Sequence, residues 1–254
     1  MTLVVAYLAA IGFTQSDSGG SGCEAVRAAV GVSARVILDS ATLKELDNDV
    51  QSLVECMPAG AVLEFDLPDL VLGNSVELTS PITIEGNGAS VQCPSDIKKG
   101  AFQIRSDDVV LSTLEFKGCF LFSTEGLIHV QNSKNVTLKN VEFEGNENVG
   151  GGPAGLSAIE SEFTLLNVEG RSNTGSRGGV IAVLENSEAS ILDSNFTSNV
   201  ALGSGGAVCS IDANFTTIMG STFENNTARG QGSAVYDQVI VVQKKMEGKE
   251  IPCQ

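Results

Sequence analysis

The feature of this sequence that most restricts its fold is a short segment that returns after 27 residues. Gly178–Ile181, Gly205–Val208 and Gly232–Val235 are three similar tetrapeptides separated by that interval. The same offset relates residues of like type elsewhere in the chain: Phe116 and Phe143, Ile191 and Ile218, Phe196 and Phe223, and Asn199 and Asn226. Between these positions, apolar runs of strand length alternate with Gly, Asn, Asp and Ser, which favour turns. A repeat of this length built from short strands is typical of a β-solenoid.

One coil of a solenoid cannot bury its own apolar face, so equivalent residues of successive coils must stack into ladders. A leucine-rich repeat is the competing architecture at this period, but its Leu-x-x-Leu-x-Leu signature is absent. The sequence therefore predicts an all-β parallel β-helix. Its coils are predicted to be defined by corner glycines, a stack of phenylalanines and corner asparagines whose amides bond between coils: Gly178, Gly179, Gly205, Gly206, Gly232, Phe143, Phe196, Phe223, Asn146, Asn199 and Asn226.

A single helix is predicted before the strands begin. Thr42 and Glu45 have the spacing of a capping box, in which each side chain bonds the other's free backbone amide. Apolar residues then follow at helical spacing until Pro58–Gly60 stops the pattern. The predicted helix spans residues 42–56, and its apolar face must pack against another element.

Two short motifs resemble the polymorphic outer membrane protein repeats of chlamydial adhesins, which pair a Gly-Gly-Ala-Ile-like tetrapeptide with Phe-x-x-Asn. The first motif is that of the three tetrapeptides above, and the second occurs at Phe143–Asn146, Phe196–Asn199 and Phe223–Asn226. Residues 53–88 look like the opening coils of pectin-lyase-like β-helices, where a short helix caps the solenoid. The resemblance covers about residues 42–242 and implies a right-handed parallel β-helix with helix 42–56 as its N-terminal cap.

The chain divides into three parts by composition. Residues 1–22 are predicted to be a signal peptide and Gly/Ser linker, because Leu3–Phe13 is an apolar run too short to span a bilayer. This run lacks a basic segment before it, so a strand of the core is the alternative. Residues 23–242 are predicted to form one β-helix domain and 243–254 a charged tail, with no membrane span in the mature chain.

Cysteines and glycosylation sequons support an exported protein. The six cysteines match no zinc or redox motif, and an even number in an exported chain favours disulfides. Cys93 and Cys119 are 26 residues apart, which could place them on adjacent coils within reach of a disulfide; two buried thiols are the alternative. Four Asn-x-Thr sequons are predicted glycosylation sites in a secretory pathway: Asn135, Asn195, Asn214 and Asn225.

The charge of the chain excludes some partners. With a net charge of −16, the protein repels nucleic acid and anionic membranes. An acidic polysaccharide would need a bridging divalent cation.

Polysaccharide cleavage is the main enzymatic alternative, and a calcium-dependent lyase needs converging carboxylates beside a basic residue. The basic candidates are Arg105, Arg171, Arg177 and Arg229. The carboxylates considered with Arg171 are spread through the repeats: Glu160, Glu162, Glu169, Glu185, Glu188 and Asp193. The one histidine, His129, is interpreted as structural, and Asp107–Asp108 as a turn. No catalytic residue, metal ligand or cofactor is predicted, with Ca²⁺ required only by the lyase alternative.

The predicted function is therefore that of a secreted or cell-surface β-helix protein with a structural or adhesive role, binding a glycan or protein of the surface or matrix. The alternative is a pectate-type lyase. Val239–Val242 resembles a last coil without a clear cap, which leaves open a fragment of a longer solenoid. An uncapped end would expose strand edges and favour end-to-end self-association.

Overall fold

Short strands and two short helices make up the protein in the computed structural model, which describes residues 5–7, 35–45, 49–93 and 99–237. The helices are α1 (Ser40–Glu45) and α2 (Val50–Cys56). The strands in chain order are β1 (Val5–Tyr7), β2 (Arg35–Asp39), β3 (Ala61–Asp66), β4 (Asp69–Val71), β5 (Val76–Leu78), β6 (Ile82–Gln92), β7 (Phe102–Ile104), β8 (Val110–Lys117), β9 (Phe120–Leu121), β10 (Ile128–Gln131), β11 (Val136–Lys139), β12 (Glu142–Glu144), β13 (Glu147–Asn148), β14 (Leu156–Ile159), β15 (Glu162–Leu166), β16 (Glu169–Arg171), β17 (Thr174–Gly175), β18 (Ile181–Leu184), β19 (Glu188–Leu192), β20 (Asn195–Thr197), β21 (Val200–Ala201), β22 (Val208–Ile211), β23 (Phe215–Met219), β24 (Thr222–Glu224), β25 (Thr227–Ala228) and β26 (Val235–Asp237).

The strands form three sheets in which the pairing is parallel. Sheet A has 14 strands and includes β1, β2, β3, β6, β8, β11, β15, β19 and β23 along its main path, with β12, β16, β20 and β24 beside them. Sheet B runs from β5 to β26 through seven strands, and sheet C from β9 to β25 through five. Each later coil visits the sheets in the order A, C, B, as β11 to β14 do. The predicted parallel β-helix is confirmed.

The buried phenylalanines of sheet A form a column that is interrupted at Gly170. Phe116 stacks on Phe143 with ring centroids 5.3 Å apart, and Phe196 stacks on Phe223 at 5.1 Å. Gly170 occupies the position between Phe143 and Phe196 in the register of β12, β16 and β20. A Cβ atom on Gly170 would lie 3.0 Å from a methyl group of the Val180 side chain and 2.8 Å from the Phe196 ring. The four phenylalanines therefore form two stacked pairs, and neighbouring side chains occupy the space between the pairs.

Buried asparagines form a second ladder at one corner of the coils, and this ladder is continuous. The amide of Asn173 donates to Asn199 Oδ1 at 3.0 Å, and that of Asn199 donates to Asn226 Oδ1 at 2.9 Å. Asn146 donates to Asn173 in the same way. The prediction of amide bonds between coils is confirmed. Asn173 was missed because glycine replaces phenylalanine in its Phe-x-x-Asn motif.

The paired glycines occupy the corner before sheet B, and each member has its own role. Gly178, Gly205 and Gly232 have φ angles of 70°, 70° and 67°, which a residue with a side chain adopts at a cost. The second glycine is required by close packing, since a Cβ on Gly206 would lie 1.9 Å from the Ser233 carbonyl oxygen of the next coil. These glycines therefore lie where the backbone turns before it enters sheet B.

The helical segment caps the N-terminal edge of sheet B. Helix α2 packs on β5, the first strand of that sheet, and buries Val50, Leu53 and Val54 in the core. The side chain of Gln51 accepts a hydrogen bond from the backbone N–H of Glu77 at 2.5 Å. A side-chain amide therefore satisfies an edge group that a further strand would otherwise pair.

The boundaries of the helices differ from the predicted single helix over residues 42–56. Helix α1 begins at Ser40, so Thr42 lies inside it, and α2 has its own N-cap. Asp49 Oδ1 accepts from the Ser52 backbone N–H at 3.2 Å. The second helix therefore begins at an Asp N-cap, whose side chain satisfies a free backbone N–H, and not at the capping box that was predicted from Thr42 and Glu45.

The predicted leader, cysteines and tail lie partly or wholly outside the described residues. Val5–Tyr7 pairs in parallel with Arg35–Ile37, which is the arrangement expected from the alternative of a core strand. The rest of the predicted segment 1–22, Cys23, Cys253, Val239–Val242 and the tail 243–254 lie outside the described residues. The signal peptide therefore stays a prediction.

The structure joins Cys93 and Cys119 in a disulfide with a Cα–Cα distance of 5.4 Å. The bond connects the end of β6 to the turn before β9 and so ties adjacent coils together. Cys56 is also disulfide-bonded, whereas Cys209 is a buried free thiol. Burial raises the pKa of Cys209 to about 11, which keeps the thiol protonated and unreactive at neutral pH.

Candidate functional site

The outer side of sheet A carries charged residues that stack from coil to coil. They lie at the end of β8 and on β12 and β16. In β12, Phe143 is buried, while Glu142 and Glu144 on either side of it face outward, as alternation along a strand requires. Because the coils are in register, Glu142 is paired with a glutamate of each neighbouring coil and Glu144 with a cation of each. We call these side chains the charged ladder: Glu115, Lys117, Glu142, Glu144, Glu169 and Arg171.

Lys117 lies within ion-pair distance of three carboxylates of the ladder. Its Nζ atom is 2.8 Å from Glu115 Oε2. Glu144 and Glu142 follow at 3.6 Å and 3.9 Å. The hydrogen bond with Glu115, together with the negative charge of the other carboxylates, raises the pKa of Lys117. The ammonium group is therefore charged throughout the physiological pH range.

Arg171 is held at the other end of the ladder by two carboxylates. Its Nη1 donates to Glu169 Oε2 at 2.9 Å, and its Nη2 donates to Glu142 Oε1. Partial burial opposes the charge on the guanidinium, but Glu142 and Glu169 more than offset this effect and raise the pKa of Arg171. A lyase base must accept a proton, and the carboxylates hold Arg171 in the protonated form, which has no site for one.

The other basic candidates lie outside the charged ladder. Arg105 follows a strand of sheet B, Arg177 lies on the turn before β18, and Arg229 follows β25 of sheet C. All three are exposed. The structure therefore does not gather the four predicted arginines into one groove.

Of the carboxylates considered with Arg171 in the sequence, Glu169 is the one that contacts it within the described residues. In sheet A, Glu162 on β15 is the register partner of Glu188 on β19. The remaining three carboxylates lie on turns: Glu160, Glu185 and Asp193. Glu142 and Glu144 were missed. The signal was present, because both lie 27 residues before members of the ladder on β16, the offset that defines the repeat.

His129 belongs to a buried polar cluster on sheet B. Its side chain is 3% exposed, its Nδ1 lies 2.8 Å from Ser157 Oγ, and its Nε2 lies 4.0 Å from Glu125 Oε1. Burial lowers the pKa of His129 although the Glu125 charge opposes this effect. Ser157 is 1% exposed and its Oγ accepts from the Gly126 backbone N–H at 3.0 Å. The arrangement satisfies buried polar groups and leaves the serine inaccessible to a substrate.

The Asp107–Asp108 pair connects turns of adjacent coils. Asp107 Oδ1 accepts from the backbone N–H of Lys134 at 2.7 Å, and Asp108 Oδ1 accepts from the Asn135 amide at 2.6 Å. Asp108 has a φ angle of 56°, which is typical of an Asp in a turn. The predicted turn role agrees with these contacts. Within the described part of the chain, no group of three or more His, Cys, Asp or Glu residues is arranged to hold a metal ion.

The four predicted glycosylation sites are accessible on the surface. Asn135, Asn195, Asn214 and Asn225 are all exposed. In the second sequon, Thr197 Oγ1 lies 3.3 Å from Asn195 Oδ1. Exposure is necessary for attachment of a glycan, and glycosylation itself stays a prediction.

Comparison with known families identifies the repeat. The Chlamydia polymorphic membrane protein repeat matches residues 193–211 and 220–238. Each match contains one Phe-x-x-Asn motif and one tetrapeptide of the corner type, so the predicted repeat is confirmed in these two coils. No curated protein and no solved structure matches the chain. None of the described helices is long and apolar enough to cross a membrane.

Proposed function

We propose that this chain is a secreted or cell-surface repeat protein that binds a glycan or protein of the surface or matrix without a catalytic step. The charged ladder is the observation that carries the proposal. The match to a repeat of polymorphic membrane proteins supports a place at the cell surface. A stacked solenoid supports a binding role because it presents an extended, regular surface.

The charged ladder has the properties of a preorganised polar binding surface. Its side chains project from paired strands about 4.8 Å apart. Each of its two cations contacts a carboxylate of its own strand and at least one carboxylate of the coil that carries Glu142. Groups that are already ordered lose little conformational entropy when a ligand binds. Glu142 is central, because it contacts both Lys117 and Arg171. Removing its charge alters both ends of the surface at once.

The test measures binding of the labelled full chain to intact cells and to immobilised matrix glycans and proteins, over a range of ionic strength. We expect Glu142→Gln to weaken binding several-fold and to reduce its dependence on salt, since contacts between charged surfaces are screened. Glu188→Gln is the matched control, because it removes one exposed carboxylate from another row of the same sheet. Equal binding of wild type and Glu142→Gln would contradict the ladder as the site. No binding of wild type to any surface would contradict the proposed function.

The lyase alternative is tested separately by absorbance near 235 nm during incubation with uronate polysaccharides, with calcium and with a chelator. We expect no rise, because Arg171 is engaged by Glu142 and Glu169 and the other candidate arginines lie outside the charged ladder. A calcium-dependent rise that is lost in Arg171→Ala, Arg177→Ala or Arg229→Ala would replace the binding proposal with an enzyme.

A further inference from the structure

Sheet C begins with two phenylalanines that face solvent. Phe120 is 52% exposed and Phe122 is 75% exposed, whereas Leu121 between them is fully buried. On the next coil, Glu147 pairs with Phe120 and Asn148 pairs with Leu121. Val149 comes directly after Asn148, as Phe122 comes after Leu121, and its side chain is 37% exposed. We call Phe120, Phe122 and Val149 the aromatic patch. Six other phenylalanines of the described chain are fully buried, so this exposure is a local exception.

The backbone under the aromatic patch is held in place from several sides. The Glu147 N–H donates to the Cys119 carbonyl at 2.8 Å, and the Val149 N–H donates to the Leu121 carbonyl at 3.1 Å. Cys119, directly before Phe120, is fixed to Cys93 by the disulfide. Rings on a backbone that is held by hydrogen bonds and a neighbouring disulfide present apolar area at a low entropic cost of binding.

The charge beside the aromatic patch is negative. Glu147 is exposed and is the direct register partner of Phe120, so its carboxylate and the Phe120 ring project side by side from adjacent coils. Among the described residues no cation forms an ion pair with Glu147. The cation nearest to Phe120 along the chain, Lys117, is already bound to Glu115. The chain as a whole has a net charge of −16.

An arginine or lysine side chain is complementary to this combination of ring and carboxylate. Its aliphatic stem packs on apolar surface while its charged end stays in water, and a cation is also attracted to the face of an aromatic ring. Arginine fits better than lysine, because its planar guanidinium both stacks on a ring and bonds a carboxylate. Phe122 and Val149 then offer contact area for an apolar side chain next to the cation.

We propose that the aromatic patch, together with Glu147, binds a basic segment of a partner protein in which arginine or lysine lies beside apolar residues. The cation lies along Phe120 with its charged end at Glu147, and the apolar neighbour packs on Phe122 and Val149. This inference rests on the proposed binding function and assigns it a class of partner. It adds a second contact surface, on sheet C, to the charged ladder on sheet A.

The test uses two labelled synthetic peptides of equal length and charge, one alternating Arg with Leu and the other alternating Arg with Ser. Binding to the full chain is measured by fluorescence anisotropy. We expect the Arg/Leu peptide to bind at least about tenfold more tightly than the Arg/Ser peptide. Phe122→Ser and Phe120→Ser should each remove about tenfold of that affinity, as loss of a central aromatic contact does. Met219→Ser is the matched control, since Met219 is 47% exposed on sheet A.

The charged half of the proposal is tested with Glu147→Gln against Glu188→Gln. We expect Glu147→Gln to weaken binding of the Arg/Leu peptide several-fold and to lessen its salt dependence, and Glu188→Gln to change neither. All of these positions are exposed, and circular dichroism verifies that each variant is folded.

Three results would overturn the inference. Equal binding of the two peptides would mean that net charge alone attracts them, and unchanged binding in both phenylalanine variants would exclude the aromatic patch. Binding of an uncharged oligosaccharide, lost in Phe122→Ser and without peptide binding, would assign the patch to a sugar. The cell-binding assay separates this inference from the proposed function. If wild type binds the Arg/Leu peptide through Phe122 but binds no cell or matrix surface, only the proposed function is contradicted. If wild type binds a surface but does not bind the Arg/Leu peptide, only this inference is contradicted.

Discussion

Replacing Asn199 by alanine should destabilise the solenoid more than any single surface substitution. Asn199 is fully buried and makes four hydrogen bonds through its side chain. Its amide donates to the Gly170 carbonyl at 2.8 Å and to Asn226 Oδ1 at 2.9 Å. Its Oδ1 accepts from the backbone N–H and the side-chain amide of Asn173, each at 3.0 Å. The side chain therefore connects three successive coils.

The size of the effect follows from the groups that lose their partner. Alanine at position 199 leaves the Gly170 carbonyl and the Asn173 backbone N–H without this buried bond. Each such group costs about 1–3 kcal/mol, so we expect a loss of about 2–6 kcal/mol. The Asn226 oxygen is affected less, because it still accepts from the backbone N–H of residue 199 at 2.9 Å. A domain is stable by only about 5–15 kcal/mol, so this loss is a large fraction of the total.

Urea unfolding followed by far-UV circular dichroism measures the free energy of unfolding for wild type, Asn199→Ala and Asn195→Ala. Asn195→Ala is the matched control, because Asn195 is exposed and accepts from Thr222 and Thr197 at the surface. We expect the control to change stability by about 0.5 kcal/mol or less. A loss below about 1 kcal/mol for Asn199→Ala, or one equal to that of the control, would refute the role of the ladder in holding the coils together.

Three further predictions concern packing, pH and the disulfide. Gly206→Ala places a Cβ against a carbonyl of the next coil and should lower the midpoint of urea unfolding strongly, whereas Gly118→Ala, with open space around it, should cost only about 1 kcal/mol for its positive φ. Burial lowers the pKa of His129 below 6.5, so the contribution of the neutral imidazole to stability is fully present above that pH and is lost as the pH falls towards the folded pKa. Wild type should therefore lose stability relative to His129→Gln between pH 7 and 5. Parallel plots of the free energy of unfolding against pH for the two proteins would contradict this. Cys93→Ser/Cys119→Ser opens a loop of 26 residues and should lower the free energy of unfolding by about 3 kcal/mol relative to oxidised wild type.

Sequence reasoning succeeded where the structure repeats itself. In a solenoid the neighbour of a residue is its copy one period away, so an offset in the sequence is also a contact in space. The offset of 27 was therefore enough to place Gly205, Phe223 and Asn226 in corner or ladder positions. Applied to Arg171, the same offset reaches Glu144, and it links Glu169 to Glu142, so the charged ladder too was within reach of the sequence.

Sequence reasoning failed where the repeat is irregular, because there the contacts depend on neighbours at other separations. Leu156 pairs with Ile181 rather than with a residue 27 positions away, since the loops differ in length. The space at Gly170 is occupied by Val180 from the turn before β18, and the edge of β5 is satisfied by Gln51 from helix α2. The exposure of Phe122 likewise depends on which coil lies beside it.

The regular 27-residue offset was enough to predict that this chain stacks as a parallel β-helix and that residues such as Phe223 and Asn226 lie in its internal ladders. The reason is that a repeat of short strands buries its apolar faces only when equivalent residues of successive coils stack on one another. How the gaps in the ladders are filled and where aromatic rings face solvent became evident only from the packing of the folded chain. Those outcomes arise because side chains distant in the sequence compete for the same space and the same hydrogen-bonding partners.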